Sequence, residues 1–333
     1  MSRPDDPLWS PGAGGDAELQ RLERLLRRYR HVPSAVPPPA ARPALRRGRT
    51  RLPLRLAAAV AGIALLGAAA WLPWRLQWRA DAPWPVVASG HGRAVMLAPG
   101  ERLVTGDGEQ ARIEVARIGV IEVSPRTRLA LVATGPGRHR VALEQGHIRA
   151  RIWAPAGYFG VRHGAAETVD LGCEFDLWQA ADGSGRLTVR SGWVAHEVGA
   201  EETLVPEGHT LAFDAGRAGV PLRGDAAPPF RVDVARLDAG LRAGRRDTAL
   251  EHRIAAAARA TDAHTLLALL TRHPSLADGP LYPRLAVLIG APADDARHRA
   301  AWAAGGVHAI NAWWDRIPRP PKQWWRNWRD ALP

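Results

Sequence analysis

The chain has 333 residues, a net charge of +12 and one cysteine, Cys173. That length allows two or three domains, and a lone cysteine excludes an intrachain disulfide and a cysteine-based metal cluster. The charge is uneven: residues 1–55 hold twelve Arg against five acids, and Lys322 is the only Lys in the chain. The Arg bias reads as a coding preference more than a nucleic-acid footprint. No aromatic-rich RNA motif accompanies it, so no direct contact with nucleic acid is expected.

Residues 1–15 are rich in Pro and Gly, with Trp9 as the large apolar group. Asp16 opens the run DAELQRLERLLRRYRH, in which Leu19, Leu22, Leu25, Leu26 and Tyr29 recur at three- and four-residue spacing. That spacing places them on one face of a helix. Asp16 suits the N-cap, Glu18 the positive first turn, and Arg27, Arg28 and Arg30 the negative last turn. About four turns of helix are marginal alone in water and leave the Leu stripe exposed, so the run needs a partner, either a protein or the membrane surface. Residues 32–55 read as a linker. Pro37, Pro38, Pro39 and Pro43 favour extended polyproline structure, and six Arg from Arg42 to Arg55 keep it solvated.

Residues 56–74 carry no charge. A helix of that length, at about 1.5 Å per residue, covers roughly 28 Å, close to the hydrocarbon core of a bilayer. Trp71 and Trp74 suit one interface and the Arg cluster the other, which puts the N-terminus in the cytoplasm. An uncleaved signal anchor fits better than a cleaved signal peptide, because the preceding 55 residues are too long for a signal's basic leader. A short buried helix is the remaining reading. The expected topology is a single membrane crossing with the C-terminus outside the cytoplasm.

Beyond the juxtamembrane Trp78 and Trp84, apolar residues alternate with polar ones in short bursts. These are Ile113 and Val115, Ile121 and Val123, Leu129 and Leu131, Val141 and Leu143, Ile148 and Ile152, Phe159 and Val161, Phe175 and Leu177, Leu187 and Val189. Gly and Asp clusters separate them. Period-two alternation broken by turn residues predicts antiparallel β structure with one buried face. About a dozen short strands are expected over 75–225, arranged as a sandwich, a barrel or a solenoid-like wrap. Past Phe230 the apolar spacing becomes helical: Val234, Leu237 and Leu241; Leu250, Ile254, Ala257 and Ala258; Leu266, Leu267, Leu269 and Leu270. Five or six helices are expected over 230–333, with Asp262 and Asp294 as candidate caps. The tail holds Trp313, Trp314, Trp324, Trp325 and Trp328. They either close the helical unit or form an exposed aromatic surface for a partner. The expected fold class is therefore a mainly β extracytoplasmic domain plus a C-terminal all-α domain, with one transmembrane helix.

No catalytic, metal or cofactor motif emerges. His139, His147, His163 and His196 form no HExxH or paired motif, and no nucleophile elbow or phosphate loop is present. Cys173 reads as an inert thiol in an apolar strand. Glu167, Asp170, Glu174 and Asp176 lie close along the chain, as strand solvent faces routinely arrange them.

The β stretch also resembles a family. Val141–Gly146 is similar to a "v-x-L-x-x-G" segment of FecR-type proteins, Phe159-Gly160-Val161 to their "pF-x-V" segment, and Leu171-Gly172-Cys173-Glu174-Phe175 to Leu-Gly-Thr-x-Phe, with Cys in place of the usual Thr. Leu187–Val194, containing Val189 and Gly192, resembles a strand pair of the family, and Val205–Gly208 its closing turn. The resemblance covers roughly residues 98–213. It implies a transmembrane regulator whose cytoplasmic segment binds an extracytoplasmic-function sigma factor and whose outer domain receives an envelope signal, with an outer-membrane transporter or another periplasmic protein as a further partner. Trp9 and the stripe Leu19, Leu22, Leu25, Leu26 and Tyr29 are then the expected sigma contacts. FecR-type proteins usually end in a small α/β module, and the helical pattern past Phe230 departs from that. The alternative is a membrane-anchored periplasmic scaffold or ligand-binding protein without a sigma partner.

Overall fold

The computed structural model describes residues 71, 74–88 and 94–318. The expected sigma contacts from Trp9 to Tyr29, the linker, the span 56–74 apart from Trp71 and Trp74, and Trp324, Trp325 and Trp328 lie outside the described residues. Among the described residues, no helix is long and apolar enough to cross a membrane.

The bursts of alternation become strands, sixteen among the described residues where about a dozen were expected. In chain order they are β1 (Trp84–Ala88), β2 (Ala94–Leu97), β3 (Arg102–Val104), β4 (Ala111–Val115), β5 (Gly119–Val123), β6 (Arg128–Gly135) and β7 (Arg138–Ile152). Then follow β8 (Phe159–His163), β9 (Ala166–Asp170), β10 (Glu174–Gln179), β11 (Gly185–Ser191) and β12 (Trp193–Val198). The last are β13 (Glu201–Pro206), β14 (His209–Asp214), β15 (Arg217–Ala218) and β16 (Leu222–Arg223).

The strands stack as two sheets joined along one long strand. One sheet runs β2-β1-β4-β5-β7-β10-β11-β14, and β14 also pairs β15 and β16. The other runs β3-β6-β7-β8-β9-β12-β13. All pairs are antiparallel except β7 with β8, which is parallel. Inward residues of both sheets share one core: Ile113, Ile121, Ile148, Phe175 and Leu187 from the first, Leu129, Val141, Phe159, Val161 and Val194 from the second. Of the three architectures left open by the sequence, this is the sandwich.

β7 makes the join. Its first half pairs β6 and β8, and its second half pairs β5 and β10. The inward residues change parity between the halves, from Val141 and Leu143 to Ile148, Ala150 and Ile152. Gly146 sits at the change with φ +103°, and a Cβ there would lie 2.5 Å from the Thr127 Cα. Only a residue without a side chain lets the strand turn this close to its neighbour.

Six helices follow: α1 (Pro228–Arg242), α2 (Thr248–Ala257), α3 (Ala263–Arg272), α4 (Leu281–Ile289), α5 (Ala296–Ala303) and α6 (Val307–Trp314). Asp247 caps α2 by accepting from the Leu250 N–H at 3.0 Å. Asp295, not Asp294, caps α5 by accepting from the His298 N–H at 3.0 Å. Asp262 stands at the N-cap position of α3, but its carboxylate takes the Arg259 N–H at 2.9 Å instead. The helices cover the outer face of the second sheet. Val169, Leu171, Ala195 and Leu204 share a core with Phe230, Val234, Leu237, Leu266 and Leu270. The strands β9, β12 and β13 are therefore buried on both faces, and the passage from 225 to 230 changes element type within one body of packed side chains.

Trp313 and Trp314 belong to this core. They are 2% and 3% exposed, so they do not form an exposed aromatic surface. Trp313 stacks on Tyr282 at 4.3 Å, and the Trp314 indole N–H donates to Thr271 Oγ1 at 3.0 Å.

Candidate functional site

The segment that leads into β1 is fastened across the sandwich end by two arginines. Arg75 Nε donates to the Arg117 carbonyl at 3.0 Å, and Arg117 Nη1 donates to the Trp74 carbonyl at 3.0 Å. The Arg117 guanidinium lies over the Trp74 ring at 4.0 Å and reaches the Trp78 ring at 5.6 Å. That of Arg75 lies 4.9 Å from Trp71 and 5.8 Å from Trp153. Arg117 can do this because Ala116, in the β4–β5 turn, takes a left-handed φ of 48°. Farther in, the Asp81 N–H donates to the Thr134 carbonyl at 3.0 Å, and the buried Trp84 indole to Thr134 Oγ1 at 3.0 Å.

Beside this strap opens a cleft of about 450 Å³, lined by Leu76, Trp153, Gly172, Cys173, Glu174 and Ser191. Its far wall is where the motif residues converge. Gly172 and Gly192 have φ of +90° and +75°, and a Cβ on Gly192 would lie 2.2 Å from the Gly172 carbonyl oxygen. The Leu171 N–H donates to the Trp193 carbonyl at 3.1 Å and the Ile152 N–H to the Cys173 carbonyl at 3.1 Å. The Glu207 N–H donates to the Gly192 carbonyl and the Gly208 N–H to that of Val189, both at 2.9 Å. The Trp153 N–H donates to the Ile118 carbonyl at 2.7 Å. A hydrogen-bonded line thus runs from the strap through the β4–β5 turn and the end of β7 to the 170–174 turn and the β13–β14 turn. From that turn Leu171 and Trp193 reach the helical core.

The other motif residues are distributed by role. Phe159, Val161, Phe175 and Val189 fill the sandwich core, with Phe175 paired to Val189 across β10 and β11. Gly146 is the turning point of β7. Gly208, at φ +73°, ends the β13–β14 turn.

Cys173 lies in the turn before β10, not within a strand. Its Sγ–H donates to Asp170, which also accepts the Cys173 N–H at 2.9 Å and the Gly172 N–H at 3.1 Å. Burial and the neighbouring Asp170 carboxylate push the thiol up, so it stays a neutral donor, the part a Thr hydroxyl would play. Burial raises the Asp170 carboxyl to about 7 against the three hydrogen bonds, which favour the ionised form. An acid raised on folding stabilises the fold below its unfolded value and loses that contribution as pH rises. The window runs from about 4 to about 7. Asp170→Asn should remove this component from urea-unfolding midpoints measured between those limits; an unchanged pH profile would show that Asp170 carries none of it.

The four carboxylates that lie close in sequence part company in space. Glu167 pairs with Arg140 at 2.5 Å on the second sheet. Asp170 faces inward, Glu174 is clamped by Arg149 and Arg151, and Asp176 by Arg190 and His147. The strap contacts made by Arg117 and Trp153 carried no sequence signal, because both are far along the chain from Trp74.

His163 and His196 are joined through Thr168, at 2.8 and 3.2 Å, and pack on Phe213 in the sandwich core. Burial lowers both imidazoles, to about 4 and about 3. They stand at the end of the core nearest a second polar junction. There Glu201 on β13 meets Arg242 of α1 at 2.9 Å and Arg272 of α3 at 2.7 Å, and both arginines also reach Asp238.

No family model matches the chain, and no curated protein matches it. Two crystal structures of a protein from Parabacteroides distasonis described as a candidate anti-sigma factor, at 1.65 and 2.50 Å resolution, are similar in part. Each aligns with a TM-score of 0.33 at 16% identity, over 38% of this chain and 61% of that one. The aligned part is thus under two thirds of that protein's length.

Proposed function

We propose that the chain is a single-pass FecR-type regulator of the bacterial inner membrane, without catalytic activity. Its cytoplasmic residues 9–31 bind an extracytoplasmic-function sigma factor, and its outer body passes an envelope signal to them through the strap. The observation that carries this reading is the convergence of the FecR-like motif residues Leu171, Gly172, Cys173, Gly192 and Gly208 around one turn, hydrogen-bonded step by step to the segment that leads toward the proposed span. Such a line supports relay because it gives a shift of the strap a continuous path to the turn.

The sigma contact rests on the stripe Leu19, Leu22, Leu25, Leu26 and Tyr29. Each fully buried Leu contributes about 1.5–3 kcal/mol, which leaves a micromolar or tighter complex after association costs. Leu22→Asp with Leu26→Asp should abolish capture of a purified sigma factor by residues 1–55, whereas Arg27→Gln with Arg28→Gln should weaken it mildly. Capture that survives the Asp changes, or binding to anionic liposomes alone, would overturn the regulator reading. The cleft of about 450 Å³ favours the second reading, a membrane-anchored periplasmic ligand-binding protein.

A further inference from the structure

We propose that Trp71, Trp74, Arg75, Arg117 and Trp153 form a docking face that lies on the anionic headgroup layer of the membrane; this rests on the single-span reading above. The three indoles are 51%, 54% and 53% exposed, large values for the bulkiest apolar side chain. They come from separate places in the chain, the strap and the end of β7. The guanidinium groups of Arg75 and Arg117 hold them together through the ring contacts and carbonyl bonds described above.

The charge on the face is uncommitted. On the adjoining outer face of the first sheet, Arg112, Arg149, Arg151 and Arg190 each pair with a carboxylate. Among the described residues, neither Arg75 nor Arg117 has a carboxylate within ion-pair distance. A guanidinium of this kind matches phosphate oxygens, and an indole matches the boundary between headgroup and acyl chain. The position of the face selects the occupant. Trp71 and Trp74 close the uncharged run 56–74, so on the single-span reading these two indoles lie where the chain leaves the bilayer, and Arg75, Arg117 and Trp153 are held against them.

The test uses the full chain in phosphatidylglycerol-containing vesicles. Bimane is placed at Trp153→Cys or, as a reference on α4, at Val287→Cys, where the native side chain is 68% exposed. Cys173 is buried and leaves the labelling to the introduced thiol. Lipids carrying a nitroxide near the headgroup should quench the label at 153 severalfold more than the label at 287. Arg75→Gln with Arg117→Gln should remove most of that excess. Equal quenching at both sites, in a chain that alkaline carbonate does not release from the vesicles, overturns the docking and leaves the span intact. A chain that carbonate releases overturns the span and the docking together.

Discussion

Gly192→Ala is expected to unfold the β body, while Gly172→Ala, at the residue it touches, is expected only to weaken it. Both glycines occupy the left-handed region, at φ +75° and +90°, and lose about 1–2 kcal/mol on gaining a side chain. Their surroundings differ. A Cβ at Gly172 meets nothing within 4 Å, whereas one at Gly192 would lie 2.2 Å from the Gly172 carbonyl oxygen and 3.2 Å from the Cys173 Cα. Those obstacles are backbone, so no rotamer relieves the overlap, and the turn that holds Leu171 and Phe175 in their two cores must move. The loss at Gly192 should exceed about 4 kcal/mol, a large part of the stability of an ordinary domain. Urea-unfolding midpoints of the two variants decide it: equal shifts would show that the crossing of the two turns is not tight.

Asp238→Ala is expected to loosen the helices from β13 at a cost of about 3 kcal/mol or more. The side chain is nearly buried and accepts from His273 Nε2 at 2.7 Å, Arg242 Nε at 3.3 Å and Arg272 Nη1 at 3.4 Å. Burial alone would raise its carboxyl. The His273 hydrogen bond and the charges of Arg272 and Arg242 outweigh that and hold it below the ordinary carboxylate range. An acid lowered on folding contributes its stability above its unfolded value, near pH 4, and loses it as pH falls through the lower folded value. Removing it leaves the Glu201 carboxylate to balance two guanidinium groups. Hydrogen exchange of α1 and α3 should quicken relative to β7, and exchange that stays in step would show that the junction is not held by Asp238.

Much of the sandwich is legible in the sequence because most strands keep one face wet. Ile113 and Val115, Ile121 and Val123, and Leu187 and Val189 alternate cleanly, and each lies in the core. The reading weakens where both faces are dry. In β13, Leu204 and Val205 are adjacent and point to different cores, so period two disappears. The turning point of β7 left a trace that is plain only afterwards: the step from Leu143 to Ile148 is odd, and Gly146 lies within it. Cys173 looked like a strand residue because Leu171 and Phe175 lie two positions to either side, whereas the Asp170 carboxylate bonded to the Gly172 and Cys173 N–H groups makes the segment a turn. The candidate site was half legible. Trp71, Trp74 and the motif glycines stand out in sequence, but nothing local brings Arg117 or Trp153 to them.

The sharing of β7 has a consequence for proteolysis. The chain weaves between the layers, so β8 and β9 join one sheet, β10 and β11 the other, and β12 and β13 return to the first of these. A cut after Asp170 would therefore part neighbours in both layers at once: β7 would lose β10 in one sheet and β9 would lose β12 in the other. A half-sandwich is not expected to survive as a product, because the two sheets share one core and each half would expose its side of it. A protease acting on this body meets an intact surface or an unravelled chain, with no trimmed intermediate between them. Loss of the body to a protease is then expected to be all-or-none, a step and not a dial.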